Sequence, residues 1–265
     1  MTRIGGQQVR LTKHSFTLAE PLILALDTSS KATSVAVARG GTVLKSVSEP
    51  ADENRSDRLW TEARSLLAEL GMTIGNIDVF SVCIGPGGFT GLRVGMAAAM
   101  GFSAATHKPL VGVTSLEAAA FAARGDLPVC ALVNAYKGDV YSQLFSFDGD
   151  GVPVARNDPM VSTLDKALDR VAGEKALVFS GEGVPDEAEA IRSVAGTRAE
   201  GKWTTSRADH GLAEDVARLA FLKYARGEME SEGRLKACYV RPPEAEIKLS
   251  LGLLGSKIKR SMKSE

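Results

Sequence analysis

"CIGPGGFTGLRVGMAAAMGFSAATHKPLVGVTSLEAAAF", Cys83 to Phe121, joins a Gly-Pro-Gly-Gly turn to one arginine and a long uncharged stretch. The glycines let the chain turn tightly and bring backbone N–H groups close to a ligand. A helix that opens there adds partial positive charge at its N-terminus, which suits a phosphate. From Val94 to His107 there is no Asp, Glu, Lys or Arg, and a helix that is apolar all round is a buried one. Gly91 and Gly95, with Ala98 and Ala99 a turn later, allow a neighbouring backbone to come close. One side of such a helix can rest on its own sheet. The other needs cover, from the chain's third helix or from a partner. The run therefore raises two chemistries, phosphate binding and protein binding.

The flanking sequence sets the architecture. "LILALDT", Leu22 to Thr28, is an apolar run ending in an acid and predicts a buried strand. Two strand-like runs about Gly40-Gly41 predict a hairpin, so the chain opens with a three-stranded meander. Asn54, Ser56 or Asp57 can cap a first helix that Gly71 ends, with Leu59, Ala63, Leu66, Leu67 and Leu70 in one apolar stripe. A strand over "IDVFSVCIG", a helix from Phe89 to about Thr106, a strand at "PLVGVT" and a third helix capped by Ser115 follow. "LPVCALVNA" and "DVYSQLFSF" then read as a hairpin turned by "YKGD", followed by a helix, a strand into "SGEG", a helix and a last amphipathic helix, "AEDVARLAFLKYARG". Each half opens with antiparallel strands and continues with alternating helices and strands, which makes an α/β chain of two similar lobes. Residues 1–20 read as a flexible leader, 21–124 as the first lobe and 125–247 as the second, whose last helix is free to return to the first; 248–265 form a basic tail.

The totals exclude several classes. The 265 residues are 44% hydrophobic and carry 32 Lys plus Arg against 32 Asp plus Glu, so no global basic excess marks a nucleic-acid binder. Cys83, Cys130 and Cys238 lie far apart without a C-x-x-C, and His14, His107 and His210 are isolated, so no metal ligand spacing is present. The three thiols read as buried and free. No run reaches the length of a membrane span. The basic leader lacks a secretory apolar segment and reads as disordered or vector-derived, with a transit peptide as the alternative.

Several motifs have both a chemical and a structural reading. "DTSS", with Asp27, Thr28 and Ser29 at a strand's end, can hold a hydrated magnesium or simply form a turn in which the acid bonds the backbone. Gly85, Gly87, Gly88, Thr90 and Arg93 make up a glycine loop with neither G-K-[ST] nor G-x-G-x-x-G. Arg93 serves either a phosphate or a carboxylate or helix end inside the fold. "SGEG", with Gly181 and Gly183, either approaches an adenosine or connects a strand to a helix. No G-x-S-x-G elbow is present, and no cysteine has a histidine near it in sequence.

Taken in order and at their intervals, "LALDTSS", "GPGGFTGLRVG", "PLVGVTSLEA" and "YVRPPEAE" resemble the TsaB, or YeaZ, family over roughly Leu22 to Glu246. "GPGGFTGLR", in place of the more usual G-P-G-S-F-T-G-L-R, is the specific part. The resemblance implies the actin-like ATPase fold, related to ribonuclease H, with two lobes about a cleft, each a mixed sheet with flanking helices. It also implies a cytoplasmic subunit with no catalytic residue, metal or cofactor of its own. Such a subunit pairs with the related TsaD, which carries the metal and transfers a threonylcarbamoyl group to an adenosine next to the anticodon of tRNAs reading codons that begin with adenine. A TsaE-like ATPase joins them, tRNA is met through the complex, and the chain alone is either a homodimer or a monomer.

The sequence departs from active members in one respect that fits this role. Where a second aspartate opens the second lobe, Asn134 stands, and an amide cannot supply the charge of a magnesium–phosphate clamp. Tyr136 stands where the family often has arginine, and Arg55 where a histidine precedes serine. Leu59, Ala63, Leu66, Leu92, Met96 and Met100 are the expected contacts of a helical partner interface, with core packing as the alternative for each. Asp27, Thr28, Ser29, the glycine loop, Gly181 and Gly183 are then a vestigial nucleotide site. Rival readings are an active ATP-binding kinase or ATPase of the same fold, and a glycoprotease-like peptidase.

Overall fold

The computed structural model describes residues 20–50, 55–136, 138–198, 202–206, 211–230 and 235–241. Apart from Glu20 the leader lies outside the described residues, as do Asn54, His14, His210, the tail and the end of "YVRPPEAE".

The first sheet takes β1 (Leu22–Asp27), β2 (Ala32–Arg39), β3 (Thr42–Pro50), β4 (Val79–Cys83) and β5 (Leu110–Val113) in the order β3-β2-β1-β4-β5. β1 and β2 pair antiparallel from Leu22 opposite Arg39 to Asp27 opposite Ser34, and β4 and β5 add in parallel. The predicted meander is present, turned at Gly40 in a left-handed conformation (φ 53°). All six residues of β1 are buried, because helices cover both faces of the sheet.

Leu24, Leu26, Val35 and Val37 face α1 (Arg55–Glu69) and α2 (Phe89–Thr106). Ile23, Ala25, Ala36 and Ala38 face the other way, toward α3 (Ser115–Ala122) and α6 (Ala213–Ala225). The period-2 alternation of the strands thus assigns each residue to one of two cores. Truncating a fully buried leucine in either core costs about 2–5 kcal/mol.

The second sheet repeats the plan with β6 (Val129–Asn134), β7 (Asp139–Phe147), β8 (Pro153–Ala155), β9 (Met160–Thr163), β10 (Leu177–Ser180) and β11 (Trp203–Thr205). Its order is β11-β10-β6-β7-β8, with β9 on β7, so β8 and β9 share the outer edge of β7. β6 runs parallel to β10, and β10 to β11, as β1 does to β4 and β4 to β5. α4 (Leu164–Arg170) and α5 (Val184–Arg198) take the places of α1 and α2.

The helices that follow each sheet exchange sides. α3 packs Leu116, Ala119 and Ala120 onto Val129, Ala131 and Val133 of the second sheet. α6 packs Val216, Ala217, Leu219 and Ala220 onto the first. The two helices also touch each other, so the short apolar α3 is enclosed by both lobes. Its cap is Thr114 rather than the expected Ser115: Thr114 Oγ1 accepts from Glu117 N at 3.0 Å while Glu117 Oε2 accepts from Thr114 N at 2.8 Å. That reciprocal pair satisfies two otherwise open N–H groups, whereas the Ser115 hydroxyl is drawn away to donate to Pro86 O at 2.5 Å.

Candidate functional site: a closed cleft and an open helical groove

At the end of β1 the Asp27 carboxylate accepts from Ser29 N at 2.9 Å and Ser29 Oγ at 2.6 Å, the local turn that an acid-hydroxyl sequence favours. Thr28 Oγ1 donates to Gly91 O at 2.7 Å, tying the turn to the first turn of α2. The glycine loop after β4 lies directly on these residues. Gly88 N donates to Ser29 O at 2.7 Å. A Cβ on Gly87 would stand 2.4 Å from Ser29 O, and one on Gly95 2.4 Å from Thr28 Oγ1. The glycines therefore serve the close approach of two backbone segments, and an N–H placed to meet a phosphate is spent on a carbonyl.

The second lobe closes on the same place. Gly181 (φ 121°) lies so near Leu132 that a Cβ would come within 2.3 Å of its carbonyl oxygen, and Gly183 N donates to that oxygen at 3.1 Å. Between them Glu182 points across to the first lobe and accepts from Lys31 N at 3.3 Å. Burial pushes its carboxyl up to about 7; the Asp27 and Asp186 charges push the same way, and Lys31 opposes them. Asn134 Oδ1 accepts from Tyr136 N at 2.7 Å, holding Tyr136 at a left-handed φ of 59°. The Tyr136 hydroxyl reaches the glycine loop, 3.5 Å from where a Gly88 Cβ would be.

A strap, residues 235–241, then crosses from one lobe to the other. Leu235 packs under Gly112, Cys238 N donates to Ile84 O at 2.7 Å, Val240 packs on the second lobe's core, and Arg241 bonds Asp139.

Of the three thiols, Cys83 joins the turn, its Sγ donating to Ser29 Oγ at 3.3 Å. Burial raises Cys83 well above its ordinary range, Cys130 to about 12, and Cys238 to a lesser extent. Among the described residues no cluster of three or more His, Cys, Asp and Glu has metal-binding geometry, and no helix is long and apolar enough to cross a membrane.

The helix pair on the outer side of the first sheet is different. Leu59, Ala63, Leu66 and Leu92 are buried in the lobe's own core, Met96 is at its margin, and Met100 is half-buried against it. Ala63, Leu66 and Leu92 point inward onto the sheet, while Leu59, though buried, also lines the groove between the two helices. Apart from Leu59 and Ala98, the outward face belongs to residues that sequence reasoning did not single out. Trp60 is 57% exposed and sets its ring edge-on to Phe102, with centroids 4.7 Å apart. With Ile74, Val94, Ala97, Ala98, Gly101 and Ala105 it lines an open apolar groove of about 600 Å³ between α1 and α2. α3 does not cover this groove, since it lies on the far side of the sheet. The one sequence signal was a large aromatic at Trp60, out of phase with the leucine stripe.

Two lobes of matching strand order, joined at a cleft that the loops after β1, β4, β6 and β10 line, define an actin-like ATPase fold of the ribonuclease H type. The model of the family described as "TsaD: tRNA N6-adenosine threonylcarbamoyltransferase" matches residues 28–190, and the chain belongs to this family, on its TsaB (YeaZ) side. The "tRNA threonylcarbamoyladenosine biosynthesis protein TsaB" of Escherichia coli is 32% identical over 49% of this chain and 57% of its own length. Its Bacillus subtilis namesake is 27% identical over 85% of this chain and 96% of its own length. A crystal structure from Pseudomonas aeruginosa, described as an uncharacterized protein with similarity to peptidase YEAZ, superposes with a TM-score of 0.70. It is 27% identical and covers 83% of this chain and all of that one.

Proposed function

We propose that the chain is a non-catalytic, cytoplasmic subunit in the formation of threonylcarbamoyladenosine on tRNA. It pairs through the α1–α2 face with a TsaD-like transferase, which a TsaE-like ATPase joins. The apolar groove with Trp60 at its rim carries this reading, because a contiguous exposed apolar surface marks a docking site and small residues let a partner's helices come close. The naming of the E. coli and B. subtilis relatives as threonylcarbamoyladenosine biosynthesis proteins supports it. In the absence of the transferase the same face pairs two copies of the chain.

An ATP-dependent role fits less well. Gly88 N–H is already bound, Glu182 adds an acid beside Asp27, and Asn134 replaces the second clamp acid. A peptidase role lacks an activated nucleophile among the described residues, where burial raises all three thiols.

Co-expression with the TsaD-like transferase and gel filtration test the pairing, and nucleoside mass spectrometry of tRNA from depleted cells tests the function. Loss of the modified adenosine on depletion, restored by Asp27→Ala but not by Ala97→Glu, is expected. Restoration by neither, with Asp27→Ala folded and still paired, would favour a working nucleotide site. Calorimetry with Mg-ATP should show no micromolar binding, about −8 kcal/mol.

A further inference from the structure

The described cleft is crossed by the chain's own residues, but its mouth carries an array that neither the fold nor the helical pairing uses. Phe89 opens α2, and Tyr239 stands on the strap; their rings lie 5.6 Å apart between centroids, tilted by 36°. The Arg93 guanidinium lies over the Phe89 ring, 3.8 Å from its centroid. Tyr136, from the second lobe, brings its hydroxyl to the loop residue just before Phe89. All three rings are exposed, at 37%, 42% and 47% for Phe89, Tyr239 and Tyr136. A single exposed aromatic is ordinary, but here three from three separate segments come to one place.

Beside Tyr136, Asp186 accepts from Asn134 Nδ2 at 3.5 Å and is offset by Lys31 at 3.6 Å. Among the described residues Arg93 makes no ion pair, so its donors face solvent while the ring holds its plane. Lys236 is exposed three residues before Tyr239. Two acids that act on this stretch are occupied: Glu117 by Lys223 at 2.9 Å and by Thr114, Asp139 by Arg241. The N-terminus of α2 adds its partial positive charge at Phe89. A flat guanidinium and flat rings with a cation to spare match a ligand with π-faces and an adjacent phosphate. Single-stranded nucleic acid is that ligand, read by stacking on aromatic and arginine planes.

We infer that Phe89, Arg93, Tyr239 and Tyr136 form a stacking platform on which this chain binds single-stranded RNA directly. It rests on chemistry separate from the α1–α2 groove: a chain that failed to pair through the groove would still bind RNA here, and the reverse holds too.

The test uses the full chain alone, with fluorescein-labelled single-stranded RNA heptamers of adenine and uridine, and a duplex of the same sequence, read by anisotropy. Binding is expected for the single strand in preference to the duplex, weakening as salt rises. Phe89→Ala with Tyr239→Ala should weaken it by roughly tenfold or more. Arg93→Gln should lower the slope of log affinity against log salt by about one. Circular dichroism melts check that each variant folds, and Phe89→Tyr, which keeps a ring, should bind as the parent does. Ala97→Glu, in the groove, should also leave RNA binding unchanged. Absence of binding at about 0.5 mM protein, well above the non-specific range, would overturn the platform, as would equal binding by the folded Phe89→Ala, Tyr239→Ala protein. Hydroxyl-radical footprinting of the complex with the TsaD-like transferase supplies the remaining arm. Protection of Phe89 and Tyr239 by the transferase alone, without RNA, would assign the patch to protein instead.

Discussion

The two faces of the first sheet are built from the same strands and end in opposite conditions. On one, α3 is enclosed, since it also packs on the second sheet, and α6 sets its apolar stripe of Val216, Ala217, Leu219 and Ala220 on the first. On the other, α1 and α2 bury their inner stripe and leave Trp60, Val94, Ala97, Ala98 and Gly101 in an open groove. A helix with a single charge and few polar side chains meets its burial requirement inside the monomer only when both sides have a neighbour. α3 has both. α2 has one.

The comparison is broken most severely from the closed side. Leu219→Ala removes a fully buried side chain of α6 and should destabilise the chain by about 2–5 kcal/mol in denaturant unfolding. Val94→Ala, the matching truncation on the open side, should cost less than about 1 kcal/mol. Equal costs would mean that the groove is not open in solution.

Next in size is an effect on association alone. Ala97 is exposed, so Ala97→Glu should change folding by within about 0.5 kcal/mol. A charge buried without a partner in a pairing interface should nonetheless weaken transferase binding by about a hundredfold, on the order of 3 kcal/mol. Unchanged affinity in titration calorimetry would remove the groove from the interface.

A third prediction concerns the cleft. The Glu182 carboxyl sits at about 7 in the folded protein against an ordinary 4.5, so folding takes up a proton between those values. Its contribution to stability is complete below the lower value and is lost as pH rises through the upper one. Glu182→Gln should flatten that decline in denaturant midpoints taken at about pH 5 and about pH 8. A decline of unchanged slope would mean that another group titrates.

The smallest effect is at Gly101, which has open space where a Cβ would go. Gly101→Ala should stabilise the isolated chain by about 0.5–1 kcal/mol through helix propensity, measured by thermal melting. It should weaken pairing at the same time if the partner's backbone comes close there.

Much of the fold was legible because burial imposes periods on sequence. The apolar run of β1 and the leucine stripe of α1 each gave the element and its burial, and "DVYSQLFSF" gave β7 as a strand, whose two faces are both buried, Val140 and Leu144 in one core and Tyr141 and Phe145 in the other. The three- and four-residue strands β8, β9 and β11 were not legible, being too short to show a period. The same stripe says less about the outer face. Ala63, Leu66 and Leu92 are apolar at helical spacing because they fill their own lobe, and an open groove made largely of Ala and Gly with one exposed Trp leaves a weaker signal.

By itself the sequence determined the two-lobed α/β order, the missing charge at Asn134, and a helix that had to be covered on more than one side. These follow from local chemistry: strand and helix periods, an amide for an acid, an uncharged surface. Only the tertiary structure decided which neighbours answered those demands. It laid the glycine loop on Ser29, placed α3 between the lobes instead of over α2, and gathered Phe89, Tyr136 and Tyr239 at one mouth. Those outcomes depend on contacts between segments far apart in the chain, and no local pattern records which distant segment fills a given space.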